Sequence, residues 1–467
     1  MSESRERPVV IVSNRGPVSY RVDQGELVGM RGAGGLVSGL APLLESGRAS
    51  WIAAALSPAD RSAVAAGTAT PDGLAVRLLS LDPVDQALAY DLISNQTLWF
   101  VHHGLFDLTR SPSYTAQWYE AWNAYRRINQ EFARAVCESA PDGAAVLIQD
   151  YHLTLMAPML AAERPDLSTV HFHHTPFAGP DMLRVLPPAV RDEMLNSLNA
   201  HHACGFHTSD WAGNFSQDLL RWPAGGNDRA ESSPAKIFAS SLSTDAADLR
   251  FTAQSEQCEE NLRALEEALG DSQLILRIDR MELSKNILRG FQAYDLLLQQ
   301  RSDLHGRVVF LACCYPSREN VPEYALYKEQ VAAEVALVNA RWGTATWQPI
   351  QFATDDDYVR SVAALRRYDV LLVNPIRDGL NLVAKEGPLI NERSGQLVLS
   401  TEAGAWAELG SAALGVNPFD VEETAQMLGV ALDRSPQERS TSAAELAQLV
   451  AKRTPMDWLQ DQLAAAD

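Results

Sequence analysis

Short β-branched runs recur along this chain, and each is followed by a longer amphipathic stretch. Val9–Val12, Ala145–Ile148, Thr169–Phe172, Leu274–Ile278, Val308–Ala312, Val370–Val373 and Leu397–Leu399 read as strands. Leu36–Leu44, Ala116–Cys137, Asp210–Leu220, Glu259–Leu269, Ile287–Gln299, Val321–Asn339 and Val421–Leu432 read as helices. Strands that are apolar on both faces, alternating with helices, require parallel sheets covered on both sides, so the fold class is α/β. One stretch interrupts the alternation: Trp222 to Pro234 is rich in turn formers and poor in apolar residues. The chain of 467 residues is thus expected to form two Rossmann-like domains, residues 1–245 and 246–450, with a ligand cleft between them. A last segment, residues 451–467, holds a helix near Met456–Leu463 whose Trp458 is expected to pack back on the first domain.

Composition narrows the partners. A net charge of −20 disfavours nucleic acid and anionic membrane. No signal-peptide core and no bilayer-length apolar run stand out. Five cysteines without CxxC spacing fit neither a disulfide framework nor a zinc ribbon. A cytoplasmic enzyme is expected, and a homo-oligomer is compatible with the sequence. Any phosphate site must then be a local positive pocket in a negative field, which makes Arg and Lys residues beside glycines informative.

In open α/β sheets, ligands sit beyond the carboxyl ends of the strands. Val9–Val12 runs into Ser13-Asn14-Arg15, where Arg15 either enters a cleft or lies on a surface turn. Gly32-Ala33-Gly34-Gly35 opens a helix and suits a phosphate, but the third glycine of a dinucleotide fingerprint is Val37 here. Asp150-Tyr151-His152 and His173-His174-Thr175-Pro176 follow two further strands, and the nearby histidines lack metal-site spacing. Arg280 and Lys285 place two cations where a helix begins. That arrangement is unfavourable unless an anion such as a diphosphate sits there; the alternative is a solvated pair. Arg377-Asp378-Gly379-Leu380-Asn381-Leu382-Val383-Ala384-Lys385-Glu386 follows another strand. It offers close backbone access, helix caps and a carboxylate able to accept both hydroxyls of a ribose, or else a well-capped solvated helix.

Taken in order, these segments resemble the trehalose-6-phosphate synthase family. The pieces are SNR at Ser13–Arg15, GAGGL at Gly32–Leu36, Trp51, the Tyr90 to Trp99 stretch, DYHL at Asp150–Leu153, HTPF at His174–Phe177, GFHT at Gly205–Thr208, RxxxSK at Arg280–Lys285, SR at Ser317–Arg318 and RDGLNLVAKE at Arg377–Glu386. The resemblance implies a GT-B fold, two Rossmann-like domains facing each other across a deep cleft. It implies a retaining glucosyltransferase that needs no metal or other cofactor, with a nucleotide-glucose donor (GDP-glucose or UDP-glucose) and glucose 6-phosphate as acceptor.

Carried over residue by residue, it assigns Arg15, Trp51, Tyr90, Trp99, Asp150 and Arg318 to the acceptor. Gly35, His174, Arg280, Lys285, Asp378, Gly379, Leu380, Asn381, Leu382, Val383 and Glu386 go to the donor. Arg280, Lys285, Asp150, His174 and Asp378 would serve catalysis. Two other outcomes share the scaffold: a pseudo-glycosyltransferase coupling a nucleotide-activated cyclitol to an amino-cyclitol phosphate, and a catalytically silent regulatory subunit.

Overall fold

The computed structural model describes residues 7–32, 35–45, 47–223 and 234–467. Residues 33 and 34 of the glycine motif and 224–233 of the turn-rich stretch lie outside these. In chain order the strands are β1 (Val9–Ser13), β2 (Val18–Asp23), β3 (Glu26–Arg31), β4 (Ala49–Ala54), β5 (Val76–Leu79), β6 (Ala145–Gln149), β7 (Ser168–His173), β8 (Ala203–Phe206) and β9 (Lys236–Ala239). They continue with β10 (Gln273–Arg280), β11 (Val308–Tyr315), β12 (Ile350–Ala353), β13 (Val370–Val373), β14 (Gln396–Ser400) and β15 (Leu414–Val416).

The chain divides into two compact units, Met1–Leu242 with Pro455–Asp467, and Ser243–Thr454. The first holds a parallel seven-stranded sheet in the order β5-β4-β1-β6-β7-β8-β9, and the second a parallel six-stranded sheet in the order β12-β11-β10-β13-β14-β15. Both orders are that of a doubly wound sheet. The chain builds outward from β1 or β10 on one side, then returns to build outward from β6 or β13 on the other. The central strands β1 and β6 are buried at every position, and β10 at all but its two end residues, as strands with helices on both faces must be. Only the hairpin β2–β3 is antiparallel among the paired strands.

The last helix, Pro455–Ala465, belongs to the first unit. Its Trp458 is fully buried and meets Phe172 of β7 edge-on at 5.1 Å. No helix among the described residues is long and apolar enough to cross a membrane.

The first unit buries an unusual set of ionisable side chains. His171, His173 and His201 are about 1 % exposed, and His171 stacks on His201 at 5.6 Å. Burial holds His171 and His173 far below the ordinary histidine value and takes His174 and His201 to about 3. All four fold as neutral rings. Asp218, fully buried in the helix Ser209–Arg221, is driven the other way by burial, to about 8.

These shifts set the acid sensitivity. The unfolded histidines take up protons below about 6.5, whereas the folded ones do not, so their contribution to stability is lost as pH falls from there. Each costs about 1.4 kcal/mol per pH unit, and buried Asp218 offsets one of the four. We therefore expect urea denaturation of the first unit to lose about 4 kcal/mol per pH unit from this group between pH 6 and pH 5. A denaturation midpoint unchanged between pH 7 and pH 5 would contradict the neutral burial of these rings.

Candidate functional site

In the first unit the switch in strand order falls between β1 and β6. Arg15 leaves the end of β1, is exposed, and its guanidinium has no partner among the described residues. Its backbone is fixed from below: Trp51 Nε1 donates to Ser13 Oγ at 2.8 Å, and that hydroxyl donates to the Arg15 carbonyl at 2.7 Å. Trp51 is 0 % exposed. Its indole is buried in the core and reaches Arg15 through Ser13.

Asp150 leaves the end of β6 with φ 73°, a conformation that strains a residue with a side chain. It accepts the backbone N–H of His174 at 3.2 Å. Tyr90 stacks on His152 at 5.7 Å, and Trp99, nearly buried, lies 5.9 Å from Tyr151. Both aromatic residues come from, or directly follow, an unusual π-helix, Leu88–Leu98. Such wide turns occur often at functional sites. Arg15, Tyr90, Trp99 and Asp150 thus all attach to the two strand ends at the switch point or to the loop after β6. Arg318 belongs to the second unit.

His174, at the end of β7, is committed within the first unit at both ring nitrogens. Nδ1 lies 3.1 Å from His207 Nε2, and Nε2 lies 2.9 Å from Gln149 Oε1. The backbone N–H of Leu242 donates to His207 Nδ1 at 3.4 Å, so His207 carries its proton on Nε2. That proton goes to His174 Nδ1, leaving His174 to donate from Nε2 to Gln149. Gln149 then donates to Gln462 Oε1 at 3.0 Å. Both ring nitrogens of His174 are thus engaged within the first unit, and through them the ring is tied to the ends of β6 and β8. Gln149 and Gln462 carried no signal in the sequence.

In the second unit the switch falls between β10 and β13. Arg277, fully buried on β10, ties the ends together. Its Nε donates to Asp279 Oδ2 at 2.9 Å, and its Nη2 donates to the Lys285 carbonyl at 2.8 Å and to Asn374 Oδ1 at 2.5 Å. Asn286, with φ 59°, donates to the carbonyls of Asn374 at 3.0 Å and Pro418 at 2.7 Å. This clamp presents Lys285, whose Nζ donates to Asp378 Oδ2 at 2.5 Å. Burial pulls Lys285 down, but Asp378, Asp279 and Glu282 outweigh it and raise it overall, so it is a cation.

Arg280, with its side chain 42 % exposed, pairs with the buried Glu282 at 2.9 Å. Arg318 lies 3.8 Å from the same Glu282 oxygen and donates to Tyr324 Oη at 2.9 Å. One buried carboxylate thus orients both arginines. The residues that sequence reasoning missed, Arg277, Glu282 and Asn374, were visible only as polar residues in or beside apolar strands.

The loop from Arg377 to Leu382 is pinned to the segment after β14. Asp378 N–H donates to the Glu402 carbonyl at 3.2 Å, Gly404 N–H to the Asp378 carbonyl at 3.0 Å, and Ala405 N–H to the Leu380 carbonyl at 2.7 Å. Asn381, with φ 83°, donates to Asp378 Oδ2 at 3.2 Å and accepts from Ala384 N–H at 3.1 Å, capping the helix Val383–Ile390. The backbone N–H groups of Leu380, Asn381, Leu382 and Val383 find no acceptor among the described residues. Glu386, one turn on, is half-buried and has no hydrogen-bonding side-chain partner among them, and burial raises it to about 7. Gly35 starts the helix Gly35–Glu45 of the first unit.

Of the seven non-glycine residues with positive φ among the described residues, Asp150, Asn286, Arg318 and Asn381 lie in these loops. Backbone of this kind often gathers at functional sites.

Two doubly wound units with charged and polar groups at their switch points are an arrangement that many α/β enzymes share. The model of glycosyltransferase family 20 matches residues 7–467. A trehalose-6-phosphate synthase from Mycolicibacterium smegmatis is 32% identical over 475 aligned positions, covering 98% of this chain and 92% of that one. A crystal structure of a UDP-forming alpha,alpha-trehalose-phosphate synthase from Burkholderia vietnamiensis superposes with a TM-score of 0.85 at 28% identity, over 98% and 99% of the two chains. A solved E. coli structure described as bound with UDP-2-fluoro glucose gives 0.84 at 26% identity, over 98% of each chain. This chain belongs to glycosyltransferase family 20.

The clamp carries a stability prediction. Arg277→Met keeps the length of the side chain but leaves Asp279 buried without its cation. We expect a loss of about 3–5 kcal/mol in chemical denaturation of the second unit. A loss below about 1 kcal/mol would mean that the clamp is not what joins these strand ends.

Proposed function

We propose that this glycosyltransferase moves glucose, with retention at the anomeric carbon, from UDP-glucose or GDP-glucose to glucose 6-phosphate, giving trehalose 6-phosphate. The observation that carries the reading is the Lys285–Asp378 pair, 2.5 Å apart, at the switch point that also bears Arg280. A cation pre-set by a fixed carboxylate suits the diphosphate of a leaving nucleotide, because it is already oriented when negative charge develops there. The open amides at 380–383 are suited to hydroxyl or phosphate oxygens. Glu386 is suited to the two hydroxyls of a ribose. In the first unit, exposed Arg15 suits the phosphate of the acceptor sugar, as does the hydroxyl of Tyr90, and Asp150 suits its hydroxyls.

A retaining hydrolase would place two carboxylates about 5 Å apart across the bond. The donor reading instead has the leaving diphosphate take the acceptor's proton on the face where it departs. One C–O bond breaks to the diphosphate oxygen, one forms to the acceptor oxygen, and the proton moves to the diphosphate. The protein's part is alignment and stabilisation of charge on the leaving group. Arg280 and Lys285 do the second.

Two outcomes test this. Arg280→Ala should lower the turnover number for nucleoside diphosphate release by about 100-fold, with a smaller change in the Michaelis constant for the donor; an unchanged turnover number overturns the assignment. Glu386 must be ionised to accept two ribose hydroxyls, and its free value is about 7. Calorimetric affinity for the nucleoside diphosphate should therefore fall as pH drops below 7, with proton release on binding, by at most about tenfold per pH unit. Glu386→Gln should bind more weakly and flatten that dependence. Equal slopes in the two proteins would remove Glu386 from the site.

A further inference from the structure

A concavity of about 350 Å³ opens on the second unit, at the amino-terminal edge of its sheet. Ser272 of its wall directly precedes β10, and Gly306 and Gln348 each lie two residues before β11 and β12. The loops carrying Lys285 and Asp378 leave the other end of the same sheet. The eight residues of β10 separate the two places by about 25 Å.

Three rings line it, and each is locked by its edge. Trp342 Nε1 donates to Asp295 Oδ1 at 2.7 Å, and Trp347 Nε1 donates to the Val308 carbonyl at 2.9 Å. His305 Nε2 lies 2.8 Å from the Leu298 carbonyl, so it donates there. His305 lies 5.0 Å from Trp342 and 6.1 Å from Trp347, centroid to centroid. Around the rings stand the amides of Gln348 and Gln351 and the hydroxyl of Thr346.

None of the wall residues is Asp, Glu, Lys or Arg, although the chain carries a net charge of −20. Fixed aromatic faces suit the apolar C–H faces of a pyranose, and amides with hydroxyls suit its hydroxyl groups. The absence of a cation gives nothing to a phosphate. The volume is within the range of small-ligand sites, about 300–1,000 Å³.

We propose that this concavity binds an uncharged sugar of mono- or disaccharide size, separately from the donor and acceptor sites. The inference rests on this wall alone and not on the reaction proposed above.

The test titrates the full chain with α,α-trehalose, maltose and glucose by calorimetry and saturation-transfer NMR. It is done with and without saturating UDP plus glucose 6-phosphate. Saturable binding of at least one neutral sugar is expected, unchanged by UDP and glucose 6-phosphate. Affinity should fall by about tenfold or more in Trp342→Ala and in the exposed rim variants Thr346→Lys and Gln348→Glu. The rim variants keep the test valid if Trp342→Ala does not fold. Three results overturn the proposal: no saturable binding of any of the three sugars, binding that survives both rim variants, or binding displaced by glucose 6-phosphate. A failure of glucose 6-phosphate itself to bind would touch only the reaction proposed above.

Discussion

Everything chemical in this protein hangs on a reversal of strand order, which occurs twice. At β1 and β6, and again at β10 and β13, consecutive connections leave the sheet in opposite directions. The loops on either side then diverge and leave a gap at the carboxyl end of the sheet. Arg15 and Asp150 leave the first pair of strands, and Arg280, Lys285 and Asp378 leave the second. The strands are mostly apolar and buried, so the charged groups that could meet a phosphate stand where the strands end. Where a polar group does enter the second sheet, as Arg277 does, it spends its hydrogen bonds joining the strand ends that the reversal separates.

The electrostatics follow from holding cations in a chain of net charge −20. Each cation of the second unit's site is held by a carboxylate: Lys285 by Asp378, and Arg280 with Arg318 by Glu282. Pairing fixes geometry in advance, so little reorganisation is left for the moment when charge develops on a ligand. Glu386 is the reverse case. It is a carboxylate raised to about 7 by burial with no cation to hold it down, a state that hydroxyl donors would relieve.

Much of this was legible in the chain. The apolar runs at Val9–Val12, Leu274–Ile278 and Val370–Val373 fall within β1, β10 and β13 because strands covered on both faces show no alternation to confuse. Some short strands were not legible. β8 is Ala-Cys-Gly-Phe, without a β-branched residue, whereas β13, equally short, is Val-Leu-Leu-Val; β15 has only three residues. The π-helix Leu88–Leu98 has no sequence signature at all. At the site, motif strings found the residues that a ligand would touch but not those that hold them. The anchoring bond from Trp51 to Ser13 was not legible, because a tryptophan in a strand gives no hint of which way its edge points. The ring of His174 is held by Gln149, which in turn donates to Gln462, 313 residues further on, a link beyond the reach of any local pattern.

The proposed reaction is the transfer of glucose from a nucleotide donor to glucose 6-phosphate. Its most direct test is the product. The protein is incubated with glucose 6-phosphate and, in turn, UDP-glucose and GDP-glucose, and the sugar formed is identified by NMR. The expected product is an α,α-linked disaccharide phosphate from at least one donor, with the donor's anomeric configuration kept. An inverted linkage, or no product from folded protein that still binds the nucleoside diphosphate, would contradict it.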